Sequence, residues 1–191
     1  MNQIAWSLSG AVLAGGESRR MGREKATLDF QGAPLWRRQL DTLRETCAGP
    51  IFIVRRSGQP RLDEGTHQLY DRVAGAGPLA GLQAALLAAR TRWIAVLAVD
   101  MPHVDAAWFR WLGQFCRQGN GAVARTPLGF EPLAAIYHRE AITHVTSRLR
   151  SGNGSLQDLL ASLVQSARMA VVHLPASENH RVANWNRPSD M

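Results

Sequence analysis

Residues 8–14, 51–54 and 93–99 form short apolar runs without the polar alternation of a half-exposed strand. Runs of this length and composition read as strands buried on both faces. Between them lie stretches with helical spacing. Residues 34–46 place Leu35, Trp36, Leu40 and Leu43 near one face, behind a proline suited to a first turn. Residues 78–89 are rich in alanine and leucine, and residues 106–117 follow the third run. Residues 68–71 read as a further short strand. Parallel strands need crossover connections, and a sheet apolar on both faces must be covered on both. The alternation therefore predicts a mainly parallel sheet between two helical layers. The last third is less regular: residues 121–124, 132–137 and 170–174 read as strands, 140–149 and 156–163 as helices. Glycine-rich spots at 75–81 and 151–155 read as loops. With no repeat and no linker, the 191 residues are expected to form one domain.

In open parallel sheets ligands sit at the carboxyl ends of the strands, and three features fall there. The first run leads into Gly15 and Gly16, and Lys25 follows in the same loop. It is the only lysine; arginine supplies the other 21 of the 22 basic residues. Glycines let backbone N–H groups approach an anion closely. An ammonium is a compact point charge and a guanidinium a planar fork, so the two differ beside a phosphate in a narrow space. Arg19 would add charge around the same phosphates. A bias toward arginine also leaves one lysine by chance, so Lys25 gains weight only from its surroundings. The loop is not a Walker A motif, because Lys25 is not next to Gly22, and no Gly-x-Gly-x-x-Gly is present.

The second feature is Asp100, directly after the third run. A carboxylate there suits Mg²⁺, which uses one or two carboxylates together with substrate phosphates and waters. The alternative is an N-cap for the next helix, a place for which Asp105 is better sited. The third is Asp71 with the glycine-rich loop at 75–81, which either cradles a base or ribose or simply turns the chain.

The net charge of +7 is compatible with an anionic ligand. The arginines are scattered, however, so neither nucleic acid nor a membrane surface is implied. No apolar run reaches the roughly 18 residues of a membrane span. Residues 1–9 lack a signal-peptide pattern, and Cys47 and Cys116 are too few for a disulfide framework. The expectation is a cytoplasmic protein. Neither the cysteines nor the six histidines show metal-ligand spacing, and Trp93, Trp108 and Trp111 are read as core.

The string Leu13-Ala14-Gly15-Gly16-Glu17-Ser18-Arg19-Arg20-Met21-Gly22-Arg23-Glu24-Lys25 resembles the signature of the MobA-like nucleotidyltransferases. Further segments are similar to that family in the expected order: residues 29–35, Gly77-Pro78-Leu79-Ala80-Gly81, Val99-Asp100-Met101-Pro102, residues 132–137 and Asn184-Trp185-Asn186-Arg187-Pro188. The resemblance implies a three-layer α/β/α domain, Rossmann-like, of the nucleotide-diphospho-sugar transferase type. It implies transfer of GMP from Mg²⁺-bound GTP to the terminal phosphate of molybdopterin carrying molybdenum, with release of pyrophosphate. By position, Leu13, Ala14, Gly15 and Gly16 would contact the nucleotide, Lys25 its phosphates, Asp71 the nucleotide pocket and Asp100 the metal. Lys25, Asp100 and Arg19 form the expected catalytic set. Asn184 and Asn186 are similar to family residues placed toward the pterin. Candidate partners are a molybdenum-insertion protein and recipient molybdoenzymes or their chaperones.

Two positions depart from the family pattern. The asparagine that helps hold guanine near the end of the second strand has no counterpart in Ile51-Phe52-Ile53-Val54-Arg55-Arg56, and Arg187 stands where the closing motif carries threonine. Two alternatives remain open: a cytidylyltransferase using CTP, which Ala14-Gly15-Gly16 disfavours, and a non-catalytic cofactor-binding accessory protein.

Overall fold

A computed structural model describes residues 8–16, 24–63, 65–71, 73 and 75–185. In chain order the elements are β1 (Leu8–Leu13), the hairpin β2 (Asp29–Phe30) and β3 (Ala33–Pro34), α1 (Leu35–Arg44), β4 (Ile51–Arg55), β5 (His67–Tyr70), α2 (Pro78–Ala88) and β6 (Trp93–Ala98). There follow α3 (Ala106–Gly113), β7 (Gly121–Thr126), β8 (Gly129–Phe130), β9 (Ala134–His138), α4 (Ile142–Arg150), α5 (Leu156–Gln165) and β10 (Met169–His173). An eight-stranded sheet runs β10-β7-β9-β6-β1-β4-β5, with β8 paired to β7.

The three apolar runs lie side by side at its centre. β1 pairs in parallel with β4 and with β6, and every residue of β1 and β6 is buried. Alternate side chains enter two separate cores. Val12, Ala95 and Leu97 pack with residues of α1 and α3, whereas Ala11, Ile94 and Val96 pack with residues of α2, α4 and α5. The expected three layers and mainly parallel sheet are therefore present. Leu35, Leu40 and Leu43 of α1 are fully buried; truncating one to alanine costs about 2–5 kcal/mol. Trp93 and Trp108 are core residues, as expected, and their indole N–H groups donate to Asn120 O and Ala134 O at 2.8 Å each.

β9 runs against the grain, antiparallel to both β6 and β7. Residues 127–133 are too short for a crossover, which needs a dozen residues or more, so the chain must double back. At that crossing Gly121 is obligatory, because a Cβ there would lie 2.1 Å from Ile136 O. Two expectations need adjusting. Helix α3 stops at Gly113 rather than 117, and the β2–β3 hairpin was not anticipated. Its turn places Gln31 at φ 56° and Gly32 at φ 88°, the left-handed pair of a tight hairpin.

Strand order reverses at β1. The chain moves outward to β4 and β5, then returns through α2 to β6 on the other side. That reversal opens a crevice at the carboxyl ends of β1, β4 and β6. Among the described residues no helix is long and apolar enough to cross a membrane.

Candidate active site

The chain leaving β1 is tied to both flanks. Val99 N–H donates to Leu13 O at 3.1 Å, and Ala14 N–H to Val54 O at 2.8 Å. Gly15 then passes so close to β4 that a Cβ would stand 3.0 Å from Arg56 N, whereas Gly16 opens outward with nothing within 4 Å of its Cβ position. On the far side, Gly77 adopts φ 59° to start α2, with Pro78 in the first turn. The unpaired N–H groups of a helix start favour anions.

Lys25 and Asp100 are 75 residues apart in sequence, yet Lys25 Nζ donates to Asp100 Oδ2 at 2.9 Å. Their side chains are 15% and 22% exposed, so the pair is sheltered but reachable. The turn carrying Asp100 is held from below by α1: Gln39 Nε2 donates to Met101 O at 2.7 Å and Arg38 Nε to Pro102 O at 2.7 Å. Asp105, not Asp100, caps α3, accepting from Trp108 N–H at 2.9 Å. Asp71 follows β5, and its N–H donates to Arg55 O at 2.9 Å.

These residues share one cavity of about 500 Å³, lined by Leu13, Gly15, Gly16, Lys25, Asp71, Gly77 and Asp100, among others. The size suits a nucleotide-scale ligand. A broader depression of about 1180 Å³ runs along β5 and α2 beside it. That one lacks the Lys25–Asp100 pair and Gly15 and Gly16, so the smaller cavity is the candidate site. Of the other expected site residues, Ala14 is buried in the core and does not line the cavity. Asn184 is exposed and also outside the lining, but its neighbour Trp185 donates its N–H to Asp100 O at 2.8 Å, which brings this segment to the site. Trp185 is pinned by Phe30 and His103, at ring separations of 4.9 and 6.3 Å. Arg19 and Asn186 lie outside the described residues.

Sequence reasoning passed over Arg55 and Glu24. Arg55 is fully buried, lines the cavity and forms an ion pair with Glu24. A charged residue closing an otherwise apolar strand was the available signal.

A crevice walled by a glycine loop, a helix start and a lysine is the mark of an α/β protein that handles phosphate-bearing ligands. The model of the MobA-like NTP transferase domain matches residues 10–169, and the chain belongs to that family. It is 55% identical over 193 residues to an Opitutus terrae protein described as "Probable molybdenum cofactor guanylyltransferase", with 100% of this chain and 96% of that one covered. It is 32% identical to the molybdenum cofactor guanylyltransferase of Pseudomonas putida, covering 93% and 92% of the two chains. Among solved structures, molybdopterin-guanine dinucleotide biosynthesis protein A from Archaeoglobus fulgidus superposes with a TM-score of 0.70 at 26% identity, covering 95% of this chain and 94% of that one.

Proposed function

We propose that the protein transfers GMP from GTP to the terminal phosphate of molybdopterin carrying molybdenum, forming the guanine dinucleotide cofactor and releasing pyrophosphate. The observation that carries this reading is the meeting of Lys25 and Asp100 in a cavity floored by the glycine loop. The names of the relatives supply the substrates: two name a molybdenum cofactor guanylyltransferase and one the biosynthesis of molybdopterin-guanine dinucleotide.

In this reading an acceptor phosphate oxygen attacks the α-phosphorus of GTP, and the bond to the pyrophosphate oxygen breaks. The attacking oxygen is already anionic, so no protein nucleophile is needed and catalysis rests on positioning and charge neutralisation. Lys25 exchanges Asp100 for phosphate oxygens as the triphosphate enters. Backbone N–H groups of Gly15, Gly16 and the start of α2 face the same anion, and Asp71 borders the nucleoside. By their resemblance to family residues, Arg19 would add charge to the phosphates, and Asn184 and Asn186 would serve the pterin.

Asp100 suits a magnesium ion. Its Oδ1 has no hydrogen bond among the described residues, and no group of three or more metal-ligating side chains occurs among them. Sparse protein ligation completed by phosphates and water is the habit of Mg²⁺. Bound there, the ion would neutralise charge on the phosphate oxygens. We place the protein in the cytoplasm as a single domain. Its free cysteines, Cys47 and Cys116, support a reducing setting, and burial pushes both thiols up to about 12.

The test is pyrophosphate release from the purified protein with Mg²⁺, the molybdenum-loaded pterin and either GTP or CTP. Release with GTP alone is expected. Release with CTP alone would make it a cytidylyltransferase, and binding without release would make it a carrier.

A further inference from the structure

Arg55 ends β4 with a fully buried side chain. Its Nη2 is paired with Oε1 of Glu24, and the same oxygen accepts from Gln59 Nε2 at 3.4 Å. Nε and Nη1 have no partner among the described residues. A guanidinium withdrawn from water in this way depends on its counter-charge. Burial pulls its pKa below the usual arginine value, with Glu24 and then Tyr70 acting against that pull.

Glu24 immediately precedes Lys25. Its carbonyl accepts from Thr27 N–H at 3.1 Å and Thr27 Oγ1 at 3.0 Å, and Leu28 N–H donates to Lys25 O at 3.1 Å. These bonds close a 3-10 turn over Lys25–Thr27, whose middle residue, Ala26, is sunk in the core. The turn is thus fastened at two charged points. Glu24 reaches the end of β4, Lys25 reaches Asp100 just beyond β6, and β1 lies between those strands.

We propose that Glu24 and Arg55 form a positioning pair for Lys25, fixing the turn across the end of β1 so that the ammonium is held between Asp100 and the glycine loop. The consequence for catalysis rests on the reading of Lys25 as the phosphate-facing group. A pair that merely stapled the fold would lower the melting temperature and leave the ammonium's surroundings unchanged in the folded protein.

Lys25 is the only lysine, so protein grown with ¹⁵Nζ-lysine carries a single lysine ammonium resonance. In Glu24→Gln and Arg55→Gln, checked by thermal melting to be folded, that resonance is expected to move toward the position of free lysine. Turnover with Mg²⁺-GTP and acceptor should fall about tenfold to a hundredfold, as misplacement of a charge-stabilising group does. In a Lys25→Ala background the same substitutions should cost less than about twofold, because the group they position is gone. An unmoved resonance in the folded variants, or an equal loss without Lys25, would overturn the proposal. Should neither variant fold, Gln59→Ala loosens Glu24 without unpairing Arg55, and the resonance must then move in the same direction or the proposal is wrong. If the unaltered protein releases no pyrophosphate from GTP, the proposed function has failed, while the resonance still decides the positioning.

Discussion

The two ends of the sheet differ in how they use glycine. At the carboxyl ends of the parallel strands Gly15 is tight against Arg56 N, where a Cβ would stand at 3.0 Å, but a Cβ on Gly16, Gly75 or Gly77 would meet nothing within 4 Å. At the other end the glycines are jammed: a Cβ on Gly49 would stand 2.9 Å from Leu8 O, and on Gly121 only 2.1 Å from Ile136 O. The cations divide as well. The open end sets Lys25 against Asp100 and Arg55 against Glu24, each with a carboxylate. The closed end gathers Arg90, Arg92, Arg139 and Arg168 around one depression, with Glu140 as the acid in its lining. Close packing is concentrated at one pole and room for a ligand at the other, so stability and activity should respond to different substitutions.

The largest expected effect is at the open end. Lys25→Ala should slow turnover by about 10²–10³-fold, or about 3–4 kcal/mol, as loss of one preorganised donor does. Lys25→Arg should fare almost as badly, because a planar fork cannot take the ammonium's place. Steady-state pyrophosphate release decides both, and a near-normal Lys25→Arg enzyme would remove Lys25 from the chemistry. Asp100→Asn should melt close to the parent protein yet lose its rate response to added Mg²⁺. An unchanged magnesium titration would exclude the carboxylate as ligand.

At the closed end, Gly121→Ala should cost about 3 kcal/mol or more through overpacking against backbone, read from the urea midpoint, while the folded fraction binds GTP normally. Gly16→Ala is the mirror image. Its stability should stay within about 0.5 kcal/mol of the parent, while GTP binding, measured by calorimetry, weakens several-fold. If Gly121→Ala damaged binding more than stability, the division between the poles would be lost.

The smallest effect concerns His138, beneath the arginine cluster. Its ring lies against Trp93 at 5.8 Å, and its Nδ1 accepts from Glu140 N–H at 3.4 Å. Burial lowers its pKa; Arg168, Arg92 and Arg139 add to that, and Glu140 opposes them. With the folded value below the unfolded one, the unfolded chain binds the extra proton first. Stability should therefore fall as pH drops below about 6.5. Melting temperatures between pH 7.5 and 5.5 should show this slope, and His138→Gln should flatten it.

Much of this layout was legible in the residues themselves. Unbroken apolar runs announced the central strands because both faces of β1 and β6 are covered. Asp105 was recognisable as the cap because a carboxylate next to a helix start has a local job. The β2–β3 turn was not visible because Gln31-Gly32 lacks the usual Asn-Gly signal. The Glu24–Arg55 pair was hidden for a different reason: each residue is ordinary alone, and only the fold brings together charges 31 positions apart. At the tail, the asparagines drew notice by their motif, yet the contact with Asp100 is made by the backbone of Trp185, a group common to every residue but proline.

β6 pairs with β1 across a separation that includes α1, β4, β5 and α2. Until that long-range register closes, Lys25 and Asp100 have no common space, and under the proposed function a half-assembled chain offers the nucleotide nothing to hold. Nucleotide should therefore act on the finished molecule alone, shifting the folding equilibrium by RT ln(1 + [L]/Kd) and guarding against opening at the middle of the sheet rather than at its margins.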